Sequence, residues 1–195
     1  MNGYSERYDA ALALAASAHA GQMRKGVTIP YIVHPVHVSV VLIRYGFPEE
    51  VAIAGLLHDV VEDQDYPLSD IQARFGPAVA DMVAAVTEQK REAGQPRRWE
   101  DRKQEALDHI RQARADAVAL KAADVLCNAR AIASALRQEG ASVWTHFSRG
   151  PEQSLWYYRS LAGIAHERIA GHPLLAELDE AVQDLERAIN ETQGR

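Results

Sequence analysis

The sequence predicts an all-α protein. Apolar side chains recur at intervals of three and four residues in alanine-rich stretches along most of the chain, and no alternating run is long enough to require a β-sheet. Of the 195 residues, 47% are hydrophobic and 25% are charged, which is enough for one compact core. We therefore predict a single helical domain over residues 1–195.

Glycine and proline residues mark where the predicted helices end and begin. In chain order, we expect helices at about residues 5–19, 35–45, 49–63, 66–75, 77–89, 99–113, 115–136, 152–170 and 174–191. The charged segment at 90–101 carries Gly94 and Pro96, and it predicts a mobile loop on the rim of the molecule.

Composition excludes several classes of function. A net charge of −6 and a pI near 5.7 argue against a nucleic-acid-binding surface, which needs clustered lysine and arginine, although a local pocket of cations suffices for a small anionic ligand. Cys127 is the only cysteine and lies in an apolar stretch, so we expect a buried thiol and a cytoplasmic protein. No signal peptide or membrane-spanning run is apparent, and the oligomeric state stays open.

The adjacent pair His58-Asp59 interrupts the apolar run VAIAGLLHDVV, where two ionisable side chains are costly to bury without partners. A divalent metal ion binds imidazole nitrogen and carboxylate oxygen together, so the pair predicts a metal site. The alternative is an ordinary surface helix end.

Asp124 lies in the middle of a helix among small and apolar residues, where aspartate is unfavourable without a role. It is a further candidate metal ligand, and Asn128 on the same helical face could orient it or contact a substrate. The structural alternative is an intrahelical ion pair with Lys121.

His34, restrained by Pro35, completes a set of two nitrogen and two oxygen ligands. Such a set leaves two positions of an octahedral ion open and suits Mn²⁺ or Fe²⁺ better than structural zinc. Glu62 and Asp63 lie about one turn after His58-Asp59 and are candidates for general base, unless they form only a solvated acidic turn.

The remaining candidates are weaker. Arg24 and Lys25 are suited to neutralising a polyphosphate, although composition alone favours solvated side chains. His37 could support His34, and Trp156, Tyr157 and Tyr158 are more typical of core than of a base-stacking surface. The other histidines are expected at the surface or at helix edges: His19, His109, His146, His166 and His172.

Four stretches, HAGQMRKGVTIPYIVHP, LLHDVVED, DIQARFGPAVADMVAAVT and LKAADVLCN, agree with a known family in order, spacing and flanking residues. They resemble the hydrolase domain of the RelA/SpoT alarmone enzymes, and especially the stand-alone small alarmone hydrolases. The resemblance covers about residues 8–138. Residues 139–195, where we expect C-terminal helices, match only loosely.

The resemblance implies an HD-domain helical bundle that uses Mn²⁺ to hydrolyse the 3′-diphosphate of ppGpp and pppGpp, releasing GDP or GTP and pyrophosphate. It implies that the metal ligands are His34, His58, Asp59 and Asp124. The water-activating pair is then Glu62 and Asp63. The residues that contact the nucleotide are Arg24, Lys25 and Asn128.

Two departures from the family pattern bear on the substrate. Val125 stands where a basic residue usually follows the metal-binding aspartate, and Gln64 stands where threonine usually follows Glu-Asp. An adenosine alarmone, or a phosphorylated nucleotide resembling NADPH, therefore stays open as substrate. A second alternative is that the protein senses a nucleotide without hydrolysing it.

Overall fold

The protein is helical, as the sequence predicts. The structure is a computed structural model that describes residues 5–64, 66–92 and 94–193. In these ranges the helices, which we number α1 to α9, are Glu6–Ala18, Val33–Arg44, Glu49–Gln64, Leu68–Phe75, Pro77–Val86, Trp99–Gln112, Ala115–Glu139, Pro151–Arg168 and Leu174–Gln193. The Ser5 side chain caps α1 by accepting from the Tyr8 amide, and Pro77 and Pro151 occupy the first turns of α5 and α8.

Two short elements were not predicted. Part of the segment expected to be a mobile loop forms a small antiparallel hairpin, in which β1 (Arg91–Glu92) pairs with β2 (Gln95–Pro96). A 3-10 helix, Gly140–His146, follows α7, which extends to Glu139 rather than ending near residue 136. Both elements are too short to leave a periodic pattern in the sequence.

Helices α3 and α7 form the centre of the fold. From Val51 to His58 every residue of α3 is buried, because α1, α2 and α5 pack around it. Helix α7 packs against α2, α8 and α9 and buries its middle, including Asp124. Three of the predicted metal ligands, His58, Asp59 and Asp124, therefore lie on these two central helices.

Gly55 allows α2 and α3 to approach closely. A Cβ atom placed on Gly55 would lie 2.9 Å from Leu42 Cδ1 and 3.2 Å from the backbone of Ser39. These distances are shorter than ordinary van der Waals contacts, so a larger residue would push the two helices apart. This crossing lies within one helical turn of His58.

Two expectations about burial are wrong. Cys127 is half-buried rather than buried, because α7 turns this edge toward a cavity that also contains Asn128. Trp156 is 44% exposed on α8, whereas Tyr157 on the next position is buried as expected and Tyr158 is half-buried. Within the described residues, the structure has no helix that is long and apolar enough to cross a membrane.

Candidate active site

Four of the predicted site residues meet where α2, α3 and α7 converge. His34 lies in the first turn of α2, His58 and Asp59 on α3, and Asp124 on α7. His34 Nε2 is 3.5 Å from Asp59 Oδ2 and 3.2 Å from Asp124 Oδ1. His58 Nε2 is 3.2 Å and 3.8 Å from the same two oxygens. Residues 90 positions apart in sequence thus direct two nitrogens and two oxygens at a common point.

The spacing of these atoms fits a divalent metal ion. Ligands bound at about 2.0–2.2 Å lie about 3.0–3.5 Å apart when they are neighbours, close to the separations observed. His34, His58 and Asp59 offer ligand atoms that all lie within 4.8 Å of one another, and Asp124 adjoins this set of three through its contacts with the two histidines. His58 Nε2 is buried and has no hydrogen-bond partner among the described residues, so it is an orphaned polar atom that a cation would satisfy.

The backbone fixes the ring nitrogen that His58 presents. His58 Nδ1 lies 2.9 Å from the carbonyl oxygen of Gly55, which can only accept a hydrogen bond, so the Nδ1 atom is the donor. The neutral ring therefore directs the lone pair of Nε2 toward the cluster. This is the arrangement by which metal-binding histidines are usually oriented.

The cluster favours positive charge. Burial lowers the pKa of His58, but the facing carboxylates of Asp59 and Asp124 oppose it, and together they raise this pKa to about 9. Burial prevails at His34, whose pKa is lowered. A cation at His58 Nε2, whether a proton or a metal ion, is stabilised by the two carboxylates, and a metal ion would have to displace the proton.

Both carboxylates are held by further contacts. Tyr31 donates its hydroxyl to Asp59 Oδ2 at 2.7 Å, and Asn128 Nδ2 donates to Asp124 Oδ1 at 2.6 Å. Lys121 Nζ lies 2.9 Å from Asp124 Oδ2. The intrahelical pair weighed against a ligand role for Asp124 is therefore present, but it uses the oxygen that faces away from the histidines.

Glu62 and Asp63 lie beside the cluster, and Lys90 bridges them. Lys90 Nζ is 3.1 Å from Glu62 Oε1 and 2.5 Å from Asp63 Oδ1. Glu62 Oε2 accepts the Glu88 amide at 3.0 Å. Burial, with help from the negative charge of Asp59, raises the pKa of Glu62, while Lys121 and Lys90 oppose that rise. A carboxylate with a raised pKa is a better proton acceptor than a solvated one.

The predicted nucleotide-contacting residues surround the same cavity. Arg24 donates to Asn128 Oδ1 at 3.0 Å, which joins the loop before α2 to α7. Lys25 is exposed, with its Nζ 5.6 Å from the centre of the Phe147 ring. His37 is exposed and lines the cavity.

Sequence reasoning missed several side chains of the site. Tyr31, Gln22 and Lys90 hold the carboxylates, yet tyrosine, glutamine and lysine in loops carry no distinctive pattern. The prediction that His19 lies at the surface or an edge is wrong. His19 is 2% exposed, its Nδ1 is 2.7 Å from Gln22 Oε1, and its ring packs on Tyr31.

The cavity around the cluster has a volume of about 1000 Å³. Among the described residues that line it, eight are lysine or arginine and five are aspartate or glutamate, in a protein whose net charge is −6. Sequence analysis did not single out Arg102, Lys103 and Arg149, which are three of the cationic residues. An anionic molecule of the size of a nucleotide fits this volume and charge.

Comparison with known proteins identifies the family of this chain. The sequence profile of the HD domain matches residues 11–151. A guanosine-3′,5′-bis(diphosphate) 3′-pyrophosphohydrolase of Aquifex aeolicus is 40% identical over 84 residues, which are 43% of this chain but 12% of the relative. The chain thus spans about an eighth of the length of that curated relative.

Two solved structures are similar over most of this chain. A protein of Listeria monocytogenes is 36% identical, with a TM-score of 0.68, and the match covers 80% of this chain and 99% of that one. A metazoan ortholog of SpoT, described as hydrolysing ppGpp and acting in starvation responses, is 27% identical, with a TM-score of 0.74, and the match covers 97% and 99%. From the profile match, the fold and these relatives, we conclude that this chain belongs to the HD-domain family.

Proposed function

We propose that this chain hydrolyses the 3′-diphosphate of guanosine alarmones, converting ppGpp to GDP and pppGpp to GTP with release of pyrophosphate. The observation that carries the proposal is the arrangement of a metal-type His/Asp cluster, a bridged carboxylate pair and a cation-rich cavity around one point. The names of the Aquifex relative and of the metazoan structure support the same substrate.

We assign the metal to His34, His58, Asp59 and Asp124, and we propose Mn²⁺ because two nitrogen and two oxygen ligands suit it. A divalent cation held there would supply positive charge that favours deprotonation of water and offsets charge on a phosphate. Two features support the assignment: the spacing of the four ligand atoms and the orphaned Nε2 of His58.

We assign general-base catalysis to the pair Glu62 and Asp63. Glu62 takes the proton from the attacking water, since burial raises its pKa, and Asp63 holds the water's orientation from its fixed contacts with Lys90 and Gln22. The oxygen of water forms a bond to the phosphorus attached at the 3′ oxygen. The bond between that phosphorus and the 3′ oxygen breaks, so the 3′ oxygen of GDP or GTP is the leaving group and takes up the proton that Glu62 holds. The oxygen from water becomes part of the pyrophosphate that is released.

We assign the binding of the nucleotide to Arg24, Lys25 and Asn128. Arg24 and Lys25 neutralise phosphate charge that would repel the nucleophile, and Asn128 ties Arg24 to the helix that carries Asp124. We further propose that the reaction takes place in the cytoplasm, where alarmone nucleotides are available to a protein whose single cysteine is unpaired.

The test is turnover of ppGpp by protein stripped of metal and reloaded with Mn²⁺, with release of GDP and pyrophosphate measured. Asp59→Ala should abolish release, because it removes one ligand and the partner of Tyr31. Asp81→Ala, at an exposed position of α5, is the matched control and should keep full activity. No release by intact protein with bound Mn²⁺ would overturn the proposal.

Two positions make substrate profiling a necessary companion experiment. Val125 is buried in the cavity wall, where relatives with a basic residue would place a charge, and Gln64 is exposed and donates to Gln22. Faster turnover of an adenosine alarmone or of NADPH than of ppGpp would mean that the protein is a hydrolase with a different substrate. Tight ppGpp binding without turnover would indicate a sensor instead.

A further inference from the structure

We infer that the 3-10 helix Gly140–His146, together with Phe147, positions the loop that carries Arg24 and Lys25, and thereby sets affinity for the nucleotide. This inference rests on the proposed function, because it gives a role at that site to residues beyond α7. His146 and Phe147 are positioning residues: they contact the loop rather than the reacting atoms.

The first contact is between His146 and Gly26. A Cβ atom on Gly26 would lie 2.7 Å from His146 Cδ2, so the imidazole ring packs directly on the Cα atom of the glycine. Gly26 has a φ of +77°, a conformation that suits glycine, and it adjoins Lys25. The His146 ring therefore packs against the turn at Gly26, the residue next to Lys25.

The second contact is between Lys25 and Phe147. Lys25 Nζ lies 5.6 Å from the centre of the Phe147 ring, within the range of a cation–π interaction. Phe147 is itself fixed, because its amide donates to the Trp144 carbonyl at 3.1 Å and the two rings are 5.5 Å apart. Buried Val143 anchors the 3-10 helix to the core.

The loop is thus held on both sides. Two backbone hydrogen bonds close the loop: the Arg24 amide donates to the Ile29 carbonyl at 2.9 Å, and the Tyr31 amide donates to the Gln22 carbonyl at 2.8 Å. Arg24 reaches inward to Asn128, while Lys25 reaches outward to Phe147. Both cations therefore have a contact within the protein before any phosphate arrives, which lowers the entropic cost of binding one.

The test compares His146→Ala and Phe147→Leu with His109→Ala, a control at an exposed histidine of α6. Phe147→Leu removes the cation–π contact and His146→Ala removes the ring that packs on Gly26. Each change should raise KM for ppGpp by about two- to fivefold while kcat stays within about twofold. A general loss of structure would lower kcat as well. An unchanged KM in both variants, or an equal fall in kcat, would overturn the inference.

A second measurement does not depend on turnover. Amide hydrogen exchange at Arg24, Val27 and Tyr31, whose N–H groups close the loop, should quicken in His146→Ala and stay unchanged in His109→Ala. If the intact protein does not hydrolyse ppGpp, the proposed function fails, but this exchange result still tests the loop contact. Unchanged exchange in His146→Ala would remove the contact as a positioning device.

Glycine variants provide a matched pair. Gly26→Ala and Gly46→Ala carry the same backbone penalty, since φ is +77° and +76°, but a Cβ on Gly46 meets nothing within 4 Å. Gly26→Ala should therefore lower Tm more than Gly46→Ala does. Adding His146→Ala to Gly26→Ala should recover the difference, and equal shifts for the two glycine variants would contradict the close packing.

Discussion

Lys90, together with Lys121, influences how readily Glu62 takes a proton. Its ammonium group contacts both carboxylates of the pair, and it opposes the rise that burial causes in the pKa of Glu62. Lys90→Met should therefore raise that pKa further. Because Glu62 acts when deprotonated, the acid limb of kcat/KM should move to higher pH, with the largest loss of rate at low pH.

The measurement is the pH profile of kcat/KM for ppGpp in Lys90→Met and in Arg91→Met, whose exposed side chain lies on the neighbouring strand. The Arg91 variant should follow the parent profile. An acid limb that stays in place in Lys90→Met would mean that Glu62 is not the group whose protonation limits the rate.

At the scale of residues, the sequence singles out the side chains that are costly to bury. It does not single out the side chains that hold them in place. His58, Asp59 and Asp124 were found because ionisable groups interrupt apolar helices. The choice between Lys121 and a metal as partner of Asp124 was not decided by sequence. The carboxylate has two oxygens, and only the fold shows that one faces His34 while the other faces Lys121.

At the scale of elements, the crossing of α2 over α3 at Gly55 controls the distance between His34 and His58. Gly55→Ala would place a methyl group against Leu42 and Ser39, and relief requires α2 to move away. Overpacking of this kind costs about 1–3 kcal/mol of stability. We also expect Mn²⁺ affinity to fall by about tenfold or more, because His34 moves with α2 and disturbed support of a metal ligand has an effect of this order.

The matched control is Gly163→Ala in α8, where a Cβ meets nothing within 4 Å. This substitution should stabilise the protein by about 0.5–1 kcal/mol, since alanine favours helix over glycine, and should leave Mn²⁺ binding alone. Calorimetric titration with Mn²⁺ and urea unfolding distinguish the two variants. Unchanged affinity in Gly55→Ala would show that α2 tolerates the added methyl group.

Several helices were predictable because glycine or proline bounds an apolar stripe, as in α8, which follows Gly150 and begins at Pro151. The hairpin formed by β1 and β2 and the 3-10 helix Gly140–His146 were not predictable from the sequence. Elements of two to seven residues are stabilised by neighbours distant in sequence, as the contact of His146 with Gly26 illustrates. Local periodicity carries no information about such contacts.

At the scale of the whole molecule, the cluster links three helices that are far apart in the chain. A metal bound to α2, α3 and α7 at once would stabilise the folded protein and not the unfolded chain. Free Mn²⁺ at 100 times its Kd should add about 2.7 kcal/mol to the free energy of unfolding. Thermal unfolding in Mn²⁺ and in chelator, for the parent and Asp59→Ala, measures this.

The parent Tm should rise with Mn²⁺ concentration, whereas the Tm of Asp59→Ala should respond little. Identical unfolding of the parent in Mn²⁺ and in chelator would argue that the four side chains do not share an ion. This readout is independent of any substrate, so it tests the metal assignment separately from alarmone hydrolysis.

Lys121, only 8% exposed and paired with Asp124, gives the carboxylates a permanent internal counter-ion. Burial of the acids in α3 and α7 is therefore compensated in part by the chain itself, before any metal arrives. The apoprotein can assemble its bundle first and acquire its ion afterwards. The ion it carries would then follow the supply of first-row metals at the time, and the same polypeptide would exchange one for another as that supply changes.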